Sequence, residues 1–246
     1  MFSLAFLHEI RAAELNAAAQ FIAPRSRVLE IGGGTGFQAR LLAEMGHSVE
    51  CIDLPGSTYA AHREFAVRDY DGATIPFPAA EFDLVFSSNV LEHVADLSRL
   101  LAETHRVLKP GGACVHLMPN PSWRLWTILT HYPSLPALLW ARLARRGDSP
   151  FAGETRQRGV LHLLGRALWP GRHGETGTMI GELCLFASRR WLRAFQQAGF
   201  TARTVRPIGL FYTGNMLLGR RLGLGSRRRL ARWLGSGSTL YVLVVR

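Results

Sequence analysis

Val28-Leu29-Glu30-Ile31-Gly32-Gly33-Gly34-Thr35-Gly36 is a short apolar run that ends in alternating glycines. The run from Arg27 to Ile31 reads as a buried strand. Gln38 to Met45 continues at helical spacing and stops at Gly46, in the position that most often closes a helix. Ser48 to Asp53 reads as a second strand. Strand, helix and strand in that order require parallel pairing and a right-handed crossover. Gly32, Gly34 and Gly36 let the backbone reach positive φ and approach a ligand closely. The helix behind them points free N–H groups toward that ligand.

The same rhythm extends outward from the turn. Residues 4–22 place Leu4, Leu7, Ala12, Leu15, Ala19 and Ile22 at helical spacing, and Pro24 ends the helix. Downstream, Phe82 to Ser87 reads as a strand, Leu97 to Leu108 as a helix, Pro110-Gly111-Gly112 as a turn and Ala113 to Met118 as a strand. Ser188 to Ala198 reads as a helix stopped by Gly199, with Thr201 to Val205 and Thr239 to Val245 as the last strands. This alternation predicts a doubly wound α/β sheet in a single domain over 1–246. Two stretches break the rhythm and read as insertions: 119–185, rich in Trp, Pro, Gly and Arg, and 212–238, rich in Gly and Arg.

Composition narrows the setting. The chain has 246 residues and a formal net charge of +11, almost all of it arginine, since Lys109 is the sole lysine. Such a charge suits an anionic partner: a membrane surface, a phosphorylated substrate or nucleic acid. Cys51, Cys114 and Cys184 are scattered and odd in number, which fits neither a disulfide framework nor a metal spacing and suits a reduced cytoplasmic setting. The first twenty residues carry Glu9 and Glu14 and no apolar core run, so no secretion signal is expected. The most apolar stretch, Leu125 to Leu143, is interrupted by His131, Pro133, Pro136 and Arg142, so no spanning helix is expected.

Two cofactor classes use a strand–glycine turn–helix. A dinucleotide site needs a small residue at the sixth position of its fingerprint; counted from Gly32 that position is Phe37. Counted from Gly34 it is Ala39, a register that remains open but sits deep in the turn and leaves Glu30 without a role. An acid at the strand end suits a cationic amino-acid group better than a pyrophosphate, and S-adenosylmethionine has a sulfonium, an ammonium and no phosphate. Asp53 ends the second strand, where an acid accepts from ribose hydroxyls in either class.

Four ordered stretches resemble motifs of class I S-adenosylmethionine-dependent methyltransferases of the type 11 family. They are Val28 to Gly36, Ile75-Pro76-Phe77-Pro78 through Val85, Val90-Leu91-Glu92-His93-Val94, and His105 to Gly112. The resemblance covers about residues 25–118 and resumes at Trp191 to Phe200 and in the last strand. It implies a Rossmann-like seven-stranded sheet, mostly parallel with an antiparallel last strand, flanked by helices and carrying an inserted cap after strand five. It implies S-adenosylmethionine as cofactor, with Glu30 holding the methionine ammonium through water or the turn. Gly32, Gly34 and Gly36 would line the methionine portion, Asp53 the ribose and Leu54 the adenine. Asp71, with Asp69 as its alternate, would take the adenine amino group, Gly72 would offer its N–H, and Asn89 would sit at the methyl end. Asp83 is assigned to strand support.

Methyl transfer from a sulfonium is an in-line displacement that gains much from alignment. A base matters when the acceptor is a hydroxyl, and His93 is the catalytic candidate; a helix-terminal His making a structural hydrogen bond is the stronger reading of the same residue. His116 reads as a satisfied core residue, while His162 and His173 fall in the first insertion. His173-Gly174-Glu175 reads either as a loop turn or as a segment reaching the pocket mouth. No His, Cys or acid cluster has metal-ligand spacing.

The first insertion follows strand five, beside the carboxyl edge where ligands sit, and is read as the substrate cap. It holds Trp123, Trp126, Tyr132, Trp140, Phe151 and Trp169, and over 120–175 eight arginines face three acids. Within 214–234, six arginines and no acids interleave with Leu217, Leu218, Leu222, Leu224, Leu230 and Trp233. That pattern reads as a basic amphipathic surface suited to an anionic leaflet at the inner face of the membrane, or as a solvated face with the leucines in the core. The expected acceptor is an oxygen or carbon on a small-molecule, glycan or lipid-linked substrate. No nucleic-acid-binding module is recognised. The rivals are a non-catalytic S-adenosylmethionine-binding protein and an NAD-dependent oxidoreductase.

Overall fold

The computed structural model describes residues 3–136 and 171–245. In chain order the elements are α1 (Leu4–Ala18), β1 (Arg27–Ile31), α2 (Phe37–Glu44), β2 (Ser48–Asp53), β3 (Arg68–Asp69), β4 (Phe82–Ser88), α3 (Leu97–Val107), β5 (Leu108–Pro119), α4 (Pro121–Leu129), α5 (Gly181–Leu185), α6 (Ser188–Gln197), β6 (Phe200–Pro207), α7 (Leu224–Leu234) and β7 (Ser238–Val245). They form a seven-stranded sheet in the order β3-β2-β1-β4-β5-β7-β6. β7 runs antiparallel to both β5 and β6, and the remaining pairings are parallel. This is the expected Rossmann-like architecture. The strand that sequence reading passes over is β3, an edge strand of two exposed residues with no apolar pattern to mark it.

Period-two alternation sends successive strand side chains to opposite faces. Leu29, Ile31, Val85, Cys114, Tyr241 and Leu243 pack on one face beneath α3 and α6, which contribute Leu100, Leu101, Trp191 and Phe195. Val28, Leu84, Phe86, Val115, Leu117, Leu240 and Val242 pack on the other with Leu15, Ala18 and Leu42 from α1 and α2. β5 is longer than expected because Leu108 pairs with Phe82 before Ala113 pairs with Leu84; the Pro110-Gly111-Gly112 turn is a bulge inside it. Asp83 supports the strand start as assigned, accepting from the Arg27 N–H at 2.8 Å and from Lys109 at 2.7 Å.

α1 buries Phe6, Ile10, Glu14, Leu15 and Ala18, so its core stripe runs through positions four apart; of the expected stripe over 4–22, Leu15 and, beyond the helix end, Ile22 are buried. Trp140, Phe151, Trp169, His162 and the charged residues from 142 to 166 lie outside the described residues. Among the described residues no helix is long and apolar enough to cross a membrane.

The basic segment before β7 departs from the expected amphipathic surface at one residue. Arg227 is buried, not presented. Its guanidinium donates to the carbonyls of Leu222, Phe211, Leu217 and Gly219 and lies 4.8 Å from the Phe6 ring centroid. It thereby ties the irregular stretch after β6 to α7. Replacing it with an apolar residue leaves four carbonyls without their donor, and each orphaned buried group costs about 1–3 kcal/mol. Arg227→Leu is therefore expected to lower the unfolding free energy by about 2–4 kcal/mol in urea titration; an unchanged midpoint would show that the arginine is dispensable.

Candidate functional site

The strand order reverses between β1 and β4, which opens a crevice beyond their carboxyl ends. A single cleft of about 1260 Å³ occupies it, running from Leu54, Asp71 and Gly72 past the glycine turn to Asn89, His93, Trp123, His173 and Tyr212. The turn is held by N–H groups of Gly32 and Gly33 donating to Ile52 O at 2.8 and 3.2 Å. Gly32, Gly34 and Gly36 all have positive φ. A methyl group at Gly32 would sit 2.5 Å from Val90, one at Gly36 would sit 2.6 Å from Phe65 Cβ, and one at Gly33 would collide with Cys51 Sγ. The turn therefore tolerates no side chains at these positions.

Asp53 faces this turn. Its Oδ2 accepts from the Gly34 N–H at 2.9 Å and its Oδ1 from the Leu54 N–H at 2.8 Å. Leu54 is 49% exposed on the cleft wall and lies against Gly72. Asp71 Oδ1 accepts from the Thr74 and Ala73 N–H groups, which hold its carboxyl below the ordinary range. Asp69 pairs instead with Arg63 at 2.6 Å and does not line the cleft.

Glu30 lies under the turn and not on the cleft wall. It is 2% exposed, on the α2 side of the sheet, and its Oε2 accepts from Cys51 Sγ at 3.5 Å. Burial pushes its carboxyl up to about 8, against a smaller opposing effect of its hydrogen bonds.

The other half of the cleft is organised by Glu14, fully buried on α1. Its carboxylate accepts from Tyr212 Oη at 2.6 Å, Arg11 Nη1 at 2.6 Å, Ser238 Oγ at 2.8 Å and Ser88 Oγ at 3.2 Å. Asn89, in the left-handed region at φ 56°, reaches the same carboxylate at 3.5 Å. Arg11 and Tyr212 both line the cleft. His8 also lines it, stacked on Phe37 at 4.0 Å and 3.3 Å from Thr35 Oγ1. The ring of Phe37 thus fills the helix entrance that a dinucleotide fingerprint keeps small.

His93 follows β4 on a 3₁₀ turn, and its Nε2 lies 3.8 Å from Oε1 of the buried Glu92. His173 Nε2 is 3.8 Å from the same oxygen, and the two imidazoles meet edge to face at 4.7 Å. Burial holds the His93 imidazole below its ordinary range, with Glu92 opposing. The expectation that no metal-ligand set exists rested on spacing along the chain. In the fold, Glu92, His93 and His173 bring their donor atoms within 4.8 Å of one another, although His173 comes from the loop before α5. That loop does reach the pocket mouth. Glu182 Oε1 accepts from the His173 and Gly174 N–H groups at 2.7 Å each, and Glu182 Oε2 pairs with Arg124 at 2.8 Å in a fully buried ion pair. His116, in contrast, is buried in the core on Ser87 at 2.8 Å, and burial lowers it to about 3.

Sequence reading missed Arg11, Glu14, His8 and Tyr212. Glu14 did leave a signal: it interrupts the apolar stripe Phe6, Ile10, Ala18 at fourfold spacing. Tyr212 left none, since its role depends on a carboxylate 198 residues away.

Residues 29–116 match the profile of the family described as a methyltransferase domain. The chain is 39% identical over 93 residues to malonyl-[acyl-carrier protein] O-methyltransferase of Serratia marcescens, covering 36% of each protein. It is 32% identical over 200 residues to glycine/sarcosine/dimethylglycine N-methyltransferase of Actinopolyspora halophila, covering 72% of this chain and 35% of that one. The match thus spans about a third of the length of these relatives. Among solved structures, an S-adenosylmethionine dependent methyltransferase from Mesorhizobium loti superposes with a TM-score of 0.56 at 22% identity over 95% of this chain and 98% of that one, a likeness of fold.

The buried Glu30 carries a pH signature. Its carboxyl ionises at about 8 when folded, against about 4.3 in an unfolded chain. Between those values the folded state keeps a proton that the unfolded state has lost, so stability falls as pH rises through the window. Glu30→Gln is expected to flatten this decline between pH 5.5 and 8.5 in urea titrations of the ligand-free protein. Identical pH slopes in both proteins would sink the assignment.

Proposed function

We propose, because residues 29–116 belong to the methyltransferase domain family, that this chain transfers a methyl group from S-adenosylmethionine to a small-molecule, glycan or lipid-linked acceptor, on oxygen or carbon. The observation that carries the reading is the pairing of the side-chain-free turn with Asp53 across the cleft, flanked by the exposed Leu54. Asp53 keeps lone pairs for the two ribose hydroxyls. Leu54 and Gly72 offer an apolar slot for the adenine, with Asp71 at its edge. The turn takes the methionine portion, and the remaining N–H groups of Arg11 suit its carboxylate. Glu30 acts on the ammonium through the turn that it underlies.

The donor methyl is already activated by the positive sulfur, so holding donor and acceptor in line supplies much of the rate. Asn89, Tyr212, His93 and His173 surround the acceptor end of the cleft. Trp123 of α4 and Arg172 and His173 of the loop before α5 line it, and this is the described part of the proposed cap over 119–185. The relative named malonyl-[acyl-carrier protein] O-methyltransferase accords with an oxygen acceptor. A second reading concerns where the acceptor is met. Trp233 is 87% exposed on α7 beside exposed Arg228, Arg229 and Arg232, a surface suited to anionic lipid.

Calorimetry should show S-adenosylmethionine and S-adenosylhomocysteine binding and NAD not binding. Asp53→Ala, which removes charged hydrogen bonds of about 2–3 kcal/mol, should weaken donor binding roughly 30- to 100-fold. Binding of NAD alone would overturn the reading in favour of an oxidoreductase, and donor binding without methylated product from cell extract would favour a non-catalytic protein. For the lipid surface, the chain should float with anionic vesicles at low salt and Trp233→Ala should reduce flotation; wild type staying in the soluble fraction ends that idea.

A further inference from the structure

The carboxylate of Glu92 is the anomaly of the acceptor end. The side chain is buried, and neither Oε1 nor Oε2 has a hydrogen-bond partner. An ionised carboxylate withdrawn from water without donors costs several kcal/mol. His93 Nε2 and His173 Nε2 each lie 3.8 Å from its Oε1, too far to donate. The two imidazoles touch one another edge to face and both open to the cleft, being 45% and 34% exposed.

We infer that Glu92, His93 and His173 form a binding site for one divalent transition-metal ion whose free coordination positions face the cleft. One carboxylate with two imidazoles is the donor set of catalytic zinc and of non-haem iron(II) centres, both of which keep open positions. Bonds of about 2.0–2.2 Å at tetrahedral angles place donor atoms roughly 3.4 Å apart, so side-chain adjustment would bring the 3.8 Å His–Glu92 separations and the imidazole donors, which lie within 4.8 Å, onto one ion. A single cation would satisfy the orphaned carboxylate and both nitrogens at once.

The surroundings are built to hold this arrangement. The Glu175 N–H donates to Glu92 O at 2.9 Å, tying the His173 loop to the 3₁₀ turn. Trp123 packs on the His173 ring at 4.6 Å. Arg124 reaches Gly171 O at 2.8 Å and Met179 O at 3.2 Å from within the Arg124–Glu182 pair, closing the loop on both sides of His173. Such support of a ligand's orientation characterises metal sites.

The role of the ion rests on the methyl-transfer reading. An acceptor hydroxyl bound to the metal loses its proton to water more readily. The oxygen's electron pair then forms the O–CH₃ bond while the C–S bond breaks toward sulfur. The products are the methyl ether, neutral S-adenosylhomocysteine and one proton.

The test uses the whole chain, stripped with chelator and titrated with Co²⁺ and, by calorimetry, Zn²⁺. One equivalent should bind and Co²⁺ should develop visible absorption bands. Glu92→Gln and His173→Ala should each weaken binding at least 100-fold, whereas His62→Ala, an exposed residue outside the cleft, should not. Acetohydroxamate, a bidentate oxygen ligand, should shift the Co²⁺ bands by entering the open positions. Melting curves and S-adenosylmethionine calorimetry on each variant separate the outcomes. Donor binding without stoichiometric metal binding, or metal binding indifferent to both substitutions, overturns the site while leaving the methyltransferase reading intact. Bands unmoved by acetohydroxamate overturn its open positions. Metal binding with no donor binding leaves the site standing and removes its proposed role.

Discussion

One buried carboxylate holds together segments that lie at opposite ends of the chain. Glu14 draws hydrogen bonds from Arg11 on its own helix, from Ser88 and Asn89 at the end of β4, from Tyr212 after β6 and from Ser238 at the start of β7. A charge taken fully out of water is tolerable only when so many donors converge on it. Each donor therefore has its place fixed by the acid's demand, and the pinned segments form one end of the cleft. α1 is a wall of the ligand cavity rather than an appendage to the sheet.

The two halves of the cleft obey different physics. Around the glycine turn the determining quantity is space: side chains are excluded from the turn by Val90, Cys51 and Phe65. Charge there is local, with Asp53 satisfied by neighbouring N–H groups. In the other half the determining quantity is buried charge. Glu14 with Arg11, Glu182 with Arg124, and Glu92 beside its two histidines all sit where desolvation is expensive.

That contrast explains what was legible in the sequence. The glycine-turn half is written in contiguous residues, since strand, turn, helix and the acid of β2 follow one another within 27–53. Local geometry and local motif coincide, so the parallel β1–α2–β2 unit and the place of the turn follow from them. β3 escaped because two exposed residues carry no period. Arg227 was counted with its basic neighbours because sequence cannot tell which arginine of a cluster turns inward; four carbonyls of an irregular stretch decide it. The cluster of Glu92, His93 and His173 was invisible to spacing because one member arrives on a separate loop.

The buried pairs of that other half fix position more than they add stability. A pair such as Arg124 and Glu182 returns little net stability, because its attraction is offset by desolvation of both groups. What it does fix is position: the Nε hydrogen is aimed at Met179 O, the carboxylate at the N–H groups of His173 and Gly174, and the loop has no second way to satisfy them all. An apolar replacement of similar volume could fill the space but would leave those backbone groups without partners. The ion pair is thus best understood as the device that sets where His173 stands relative to Glu92. Position at that end of the cleft is thus set in part by residues that do not line it, while the turn is shaped by glycines that leave no room for a side chain.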